Sequence, residues 1–502
     1  MQKKSTNSLE IIMSLIAIAI SISIFLKATF DMDTNYDVGW YHLPFAARIW
    51  GIVPKESFLS VERIEDRYDG FPLLAHFFQG LLWKLTGRIE ATHLVGYFSV
   101  IIYFLFLRSY LKIPLYISTI AIFTIPVVLT HAPSGFVDLP GNIGASVLVV
   151  MTYCFFRQSQ LPSKKELLFT FLGAAVAVNT KPQLQPLVFV IYWMVVIRLL
   201  WLYFRYTAVG KRHLWLTIPL TVIASIAIFA TPIKNVALYG NPFYPTKIEV
   251  AGIVLNHRAT PQTYNEGNRP QKWLKSILEI NTPEWSIEQS NRTNEPKYLD
   301  RAGGFFGAYV LFNLLLLVVL TIDEKLRNKR LGKNQTRNAS TALIGILSVS
   351  LIPANFPQSH ELRYFAFWMI TLVSFNLYIV FSHQNRVIRW FKIKYLKLAY
   401  LCFFIVMCIK IQNFYLKPDF RTLEVYLPQV INQKILQQIV PNQQNCLVGR
   451  YSSNPRESPF PTINHAFYYS SYFHPKIANQ YGIKIVKDSS DCENTNIIPR
   501  KN

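Results

Sequence analysis

Charge is scarce in this chain. Asp, Glu, Lys and Arg supply 16% of the 502 residues, and the acids are the scarcer kind, 28 against 51 basic residues. With 51% hydrophobic residues beside it, so little charge excludes a disordered polymer, and the length exceeds what one small core requires. Cysteine is scarce too, five in all, with no metal-ligand spacing among them. A glycine-rich phosphate loop, a Ser-His-Asp signature and an internal repeat are all missing, which removes the commonest sequence signs of nucleotide and triad chemistry.

What the sequence does hold is apolar blocks of about 15 to 20 residues separated by short charged stretches, the pattern a bilayer imposes. Eleven blocks can be drawn, at 11–30, 92–107, 114–130, 142–156, 167–178, 186–204, 214–230, 303–322, 341–354, 364–382 and 395–412. Several fall short of the ~20 residues a straight span needs, so their ends must extend into amphipathic flanks or be shielded by neighbouring helices. The first block follows Lys3 and Lys4 and lacks a small-residue cleavage site, which makes it a retained signal anchor. The expected fold class is an all-α polytopic membrane protein of about eleven transmembrane helices, with external loops and a small α/β C-terminal extracytoplasmic domain.

The formal charge of +23 would suggest nucleic acid in a soluble protein. Here it has another source, because basic residues in short connections mark the cytoplasmic side. With the N-terminus inside, the cytoplasmic connections carry twenty Lys and Arg and the short outer loops carry two, Lys181 and Arg363. The expected location is therefore the inner, cytoplasmic membrane, with the C-terminus outside and no nucleic-acid partner. Three long segments then fall outside: 31–91, 231–302 and the tail from about 413. The expected division is a transmembrane module over 1–412 and an extracytoplasmic domain over 413–502. Cys154, Cys402 and Cys408 lie in apolar blocks, whereas Cys446 and Cys492 share the exported tail, where they are either a disulfide or two free thiols.

The first long loop opens with DMDTNYDVGWYHLPFAARIWG directly after the first block. Asp31, Asp33 and Asp37 are thus held close to the membrane surface, ahead of an aromatic stretch from Trp40 to Trp50. Carboxylates so placed either meet a substrate whose lipid tail stays in the bilayer or simply keep the loop wet; interfacial aromatics are common without catalytic meaning.

An acid after the first span, the Tyr41-His42-Leu43-Pro44 turn and the segment YDGFPLLAHFFQGLLWKLTG together resemble the first external loop of GT-C fold glycosyltransferases. Asp138 in HAPSGFVDLPGN, Thr180-Lys181, YGNPFYP at 239–245 and HELRYF at 360–365 continue the resemblance, which covers about residues 9–382. It implies a GT-C-like catalytic module that takes a sugar from a polyprenyl-phosphate donor. There are two departures. The adjacent acidic pair of many relatives is spread here over Asp31, Asp33 and Asp37, and the usual double proline reads Gly70-Phe71-Pro72-Leu73. Asp37 is the preferred catalytic acid, because the element after it matches the family's helix start.

Sugar transfer from a lipid phosphate needs a base for the acceptor hydroxyl and cations for the departing phosphate. Asp37 is the candidate base. Lys181 and Arg363 are the candidate phosphate ligands, the alternatives being snorkelling for Lys181 and an ion pair with Glu361 for Arg363. His42 is either a second acid/base or a satisfied interface histidine. Asp138 either orients the acceptor or helps hold a divalent cation, for which one carboxylate alone is a poor site; no metal ligand set is assigned. Tyr41 and Tyr244 are the aromatic candidates for substrate contact, although NPFYP equally makes a rigid turn. The acceptor is a lipid, a glycan or a protein, and membrane lipids surround the spans. Two other classes compete: a polysaccharide polymerase or ligase with its arginines in a large late loop, and a transporter of lipid-linked substrate, which should show repeats and mid-membrane charges.

Overall fold

The computed structural model describes residues 8–33, 35, 37–52, 62–206, 214–246, 248–250, 253–255, 267–280, 304–331, 337–356, 358–382, 393–410, 416–423, 425, 438, 440, 443–448, 482–486, 489–492 and 496–498. The basic residues Lys3, Lys4, Lys211, Arg212, Lys333, Arg386, Arg389 and Lys392, counted above toward topology, lie outside the described residues, as does the whole 281–302 stretch of the second long loop. The described chain is largely helical: α1 (Ser8–Phe30), α2 (Leu43–Ile49), α3 (Glu62–Gly70), α4 (Leu74–Thr86), α5 (Leu94–Ser109), α6 (Leu115–Phe123), α7 (Pro126–His131), α8 (Asp138–Arg157), α9 (Lys164–Thr180), α10 (Gln185–Tyr206), α11 (Leu214–Ile228), α12 (Ala230–Tyr239), α13 (Arg269–Leu278), α14 (Phe305–Leu331), α15 (Asn338–Asn355), α16 (Ala366–Ser382) and α17 (Ile393–Lys410).

In their described residues all eleven apolar blocks are mainly helical, but six of the described helices are long and apolar enough to cross a membrane, or seven if the bent pair of α11 and α12 is one span. The count of eleven is therefore not reached among the described residues, and the reasons are local. Pro126 forces Ile125 into an extended conformation and splits block 114–130 into α6 and α7. The break at Phe229 sets the segments Pro219–Ile228 and Ala230–Tyr239 at 73° to each other. Helices α9 and α16 have 17 residues each, and α17 carries Lys394, Lys397 and Lys410.

Two compact units make up the chain. The first holds residues 1–23, 98–132 and 138–417; the second holds 24–97, 133–137 and 418–502. The tail from 418 on thus belongs with the first long loop.

In the first unit α16 is apolar all round and buried along nearly its whole length, as a helix enclosed by others must be. Helices α8 and α9 approach most closely at Gly144 and Gly173, where a Cβ on either would lie within 2.9 Å of the other's carbonyl oxygen, the small-residue contact expected between helices in lipid. Polar side chains inside the bundle bond across helices: Asn376 and Tyr400 both donate to Asn313, and Tyr103 meets Ser374. By contrast α1 turns Leu15, Ile18 and Ile22 outward, each more than half exposed, which is the face lipid would cover. A short antiparallel hairpin, β1 (Ile248–Val250) and β2 (Ile253–Leu255), follows α12.

In the second unit α2 and α4 pack against each other at Gly80, whose Cβ would fall 2.4 Å from the Ala46 carbonyl oxygen. The described part of the tail is a parallel three-stranded sheet in the order β4 (Gly482–Val486), β3 (Gln444–Val448), β5 (Asn496–Ile498). Cys446 of β3 is disulfide-bonded to Cys492, their Cα atoms 5.9 Å apart, which resolves the alternative left open by the sequence.

Candidate functional site

Each unit gathers the chemistry-bearing residues of its own segments, and each cluster stands by itself. In the second unit Asp31, Asp33 and Asp37 have separate fates although they are six residues apart at most. The Asp31 carboxylate accepts the backbone N–H groups of Asp419 and Arg421 and pairs with Lys27 at 2.7 Å. Met32 N–H donates to the Arg421 carbonyl at 2.7 Å, and Glu90 accepts the Leu423 N–H at 2.7 Å. Asp31 and Glu90 therefore act as latches for the chain segment that leads into the disulfide-bonded sheet.

Asp33 performs a similar task on another segment. Its Oδ1 accepts the Asn35 backbone and side-chain amides, and its Oδ2 accepts the Gly135 N–H at 2.9 Å. The Gly135 carbonyl in turn accepts from Gln79 of α4 at 2.8 Å. A side chain at Gly135 would start 2.5 Å from Val38, so the segment 133–137 can come this close only as glycine. Both acids are buried, and their acceptor oxygens are occupied by amides.

Asp37 differs. It stands at the foot of a π-helical turn over Val38–His42, its side chain caps no N–H of that turn, and it is only partly buried. The Leu43 N–H bonds the Val38 carbonyl five residues back, the widened winding found often at functional sites. Tyr41 and His42 at the end of the turn are buried. Tyr41 packs on Phe45 and Tyr68 lies beside them, with the Arg67 guanidinium 5.4 Å from the Tyr41 ring. His42 bonds His76 of α4.

In the first unit Asp138 is the first residue of α8 and Lys181 the residue that ends α9, so each sits at the helix end whose partial charge favours it. They form an ion pair at 2.8 Å, and both are buried, Lys181 being 5% exposed. Arg363, 4% exposed, lies 3.9 Å from Glu361 and donates to the Tyr364 hydroxyl at 3.0 Å. The Tyr364 ring faces two cations at once, Lys181 Nζ and Arg363 Cζ, each 4.9 Å from its centroid. Asn142 fixes the loop: one turn after Asp138, it donates to the Arg363 carbonyl and accepts the Phe367 N–H, both at 2.8 Å. Ser276 of α13 holds the His360 carbonyl from the other side.

Lys181 and Arg363 were expected at exposed outer loops, ready for a phosphate. They are instead enclosed, with a carboxylate beside each; the ion pair of Arg363 with Glu361 is the alternative the sequence raised. The reason is that helix ends here pack on one another, and a charge taken out of solvent needs a counter-charge. Tyr244 is in the same unit, in a turn whose Asn241 accepts the Phe243 N–H and bonds the Thr246 and Leu255 carbonyls. Its ring stacks on Tyr239 at 3.8 Å, so NPFYP is a built turn.

His76, Asn142 and Tyr364 belong to these clusters and were not singled out from the sequence. Asn142 had a signal, a polar residue four positions after Asp138 inside an apolar run, where both lie on one helix face. Among the described residues no group of three or more His, Cys, Asp or Glu is arranged to hold a metal ion. No family model matches the chain, and no curated protein or solved structure is significantly similar to it.

Proposed function

We propose that the protein is a membrane glycosyltransferase of GT-C type that moves a sugar from a polyprenyl-phosphate donor to a lipid, glycan or protein acceptor on the outer face of the inner membrane. The reading starts from the sequence resemblance, and one structural observation carries it further. Of the three acids in the first loop, Asp31 and Asp33 are buried and accept backbone amides of segments remote in sequence, whereas Asp37 is only partly buried and caps no N–H of the turn at whose foot it stands. A base must be reachable by the acceptor hydroxyl, and Asp37 is the one of the three that is not buried.

In this reading Asp37 takes the hydroxyl proton while the acceptor oxygen bonds the anomeric carbon and the sugar–phosphate bond breaks. As a separate part of the proposal, carried by the sequence resemblance, Lys181 and Arg363 of the first unit are the candidate cations for a lipid phosphate. Their present carboxylate neighbours, Asp138 and Glu361, would have to share them with the donor, so donor binding is coupled to a rearrangement of the 360–365 loop. A divalent cation at Asp138 would need further oxygen donors from the substrate phosphates and would have to compete with Lys181 for the carboxylate. The transporter reading loses support because the buried charges Asp138 and Lys181 sit at helix ends and not mid-span.

The test is transfer of radiolabel by the purified full chain supplied with a panel of polyprenyl-phosphate hexoses and pentoses. A labelled product from one donor, lost in Asp37→Asn, is the expected result; no product from any donor removes the reading. Orientation is tested separately with reporters active only outside the cytoplasm, expected to be on after about residue 60 or 450 and off after about residue 330.

A further inference from the structure

Helix α4 has two faces, and both are largely apolar. Ala75, His76, Gln79, Gly80 and Trp83 are buried within its own unit, with Gly80 against α2. The other face carries Phe77, Phe78 and Leu85, which are 41%, 46% and 72% exposed, with Leu81 and Leu82 half-buried between them. Positions 78, 82 and 85 recur at helical spacing, so these side chains form one stripe. A surface helix bathed in water turns charged and polar side chains outward. The exposed side of α4 bears a single charged residue, Lys84, and the helix contains no acid. Trp50 borders the stripe: its ring lies 5.0 Å from Phe77 and its indole N–H donates to the Phe77 carbonyl at 2.8 Å.

The stripe is tied to the ends of two apolar spans. The chain leaves the first span at the end of α1 and enters the next over Ile89–Ser109, so α4 stops three residues before that entry. Arg88 joins the two ends: it donates to the Thr29 carbonyl in the last turn of α1 at 3.1 Å, and its guanidinium lies 5.0 Å from the Phe30 ring. Phe30 in turn lies 5.6 Å from Phe420 of the tail segment. Phe420 is 56% exposed, and its backbone is left-handed, with φ of 53°. Asp31 holds it there by accepting the N–H groups of both flanking residues, Asp419 and Arg421. A bulky side chain is a strained occupant of that region, where glycine sits freely, so an open Phe ring at this place points to a use for the ring.

We infer that the exposed side of α4 and the Phe420 ring form a lipid-docking surface, set in the boundary between headgroups and acyl chains of the leaflet where α1 ends. The occupant is phospholipid. Continuity argues for it over a second copy of the chain, because the stripe runs through Arg88 and Phe30 into the end of a span whose own outward face is apolar. Charge agrees: Lys84 on the exposed side has no acid beside it in α4, and Arg88, although 3.6 Å from Glu90, adds a second cation suited to lipid phosphates. Helices of this kind lie in the interface with the apolar side about 5–10 Å deep. The first long loop is then partly embedded and not wholly aqueous, and Phe420 pins the segment leading into the disulfide-bonded sheet to the membrane. Nothing in this docking depends on sugar transfer.

Spin labels on the full-length protein in phospholipid nanodiscs test the docking. Phe78→Cys, Leu85→Cys and Phe420→Cys are labelled one at a time in a chain carrying Cys154→Ala, Cys402→Ala and Cys408→Ala. Ile18→Cys, on the outward face of α1, is the lipid reference, and Asp69→Cys, exposed on α3, is the aqueous one. All three labels should relax faster with oxygen, which concentrates among acyl chains, than with a water-soluble nickel chelate, as at position 18. Preference for nickel, as at position 69, places the surface in water and overturns the proposal. Shielding from both agents means that protein covers the surface, a second copy included, and overturns it equally. Should the cysteine-substituted chain fail to fold, the unaltered protein is photolabelled in vesicles of phosphatidylcholine and phosphatidylglycerol whose acyl chains carry a diazirine. Adducts are expected on residues 77–85 and on Phe420 as well as on α1. Adducts on α1 with none on 77–85 reject the docking of α4, and none on Phe420 removes the ring from the surface.

Discussion

In the second unit the buried carboxylates Asp31, Asp33 and Glu90 are met chiefly by backbone N–H groups, whereas in the first unit Asp138 and Glu361 face the side-chain cations Lys181 and Arg363. A backbone amide is fixed by the fold and carries no net charge, so the acid that binds it becomes a fastener between segments 102 or 388 residues apart in sequence. A Lys or Arg on a long stem brings a charge that a substrate anion could also use, at the cost of ordering the side chain and of desolvating two ions. Acids that look alike in sequence therefore have different partners: backbone amides in the second unit and side-chain cations in the first.

The strongest way to break this contrast is at Lys181. Lys181→Ala leaves Asp138 buried beside no ion-pair partner at 2.8 Å and should cost about 3–5 kcal/mol, read as a lowered melting temperature in detergent. Asp138→Leu combined with Lys181→Met should recover most of that loss while abolishing donor binding. A double variant as unstable as the single one would mean that packing, not charge, is at stake.

Next in size is Asp37→Asn, expected to cut turnover by about 10² or more with the melting temperature nearly unchanged. Should Asp31→Asn or Asp33→Asn be the dead variant while Asp37→Asn works, the assignment of tether and base is reversed.

Asp33→Asn turns one acceptor oxygen into an amide that faces an N–H, and should cost about 1–3 kcal/mol of stability, seen in the same melting assay. Turnover per folded molecule should change less than in Asp37→Asn.

The smallest effect belongs to Glu90→Gln. The amide oxygen can still accept the Leu423 N–H, and the partner lost is Arg88, 3.6 Å away and partly in solvent, so the change should stay below about 1 kcal/mol. Limited proteolysis near residue 420 should look like that of the unaltered chain; ready cleavage there would show that charge, not the amide bond, holds the segment.

Residue type and chain position made much of the site legible. Asp37 and His42 stand out after the first apolar block, and Asp138, Lys181 and Arg363 stand out as charges at the ends of others. Their partners did not, because Asn142 reaches residues 363 and 367 and His42 reaches residue 76 only once the helices pack. The disulfide was legible as an alternative because two cysteines share one segment outside the apolar blocks.

By itself the sequence determined that the chain is a helical membrane protein, since a run of apolar residues has no stable place in water and must satisfy its backbone internally in lipid. Pro126 also ends one helix and starts the next, because proline restricts the residue before it, whereas Pro219 is accommodated inside α11. Only the tertiary structure decided which blocks are long enough to span, which acids are fasteners, and that Lys181 and Arg363 are enclosed beside carboxylates. Those outcomes depend on distances between residues remote in sequence, and burial fixes the partner of a charge only after the surrounding helices have closed on it.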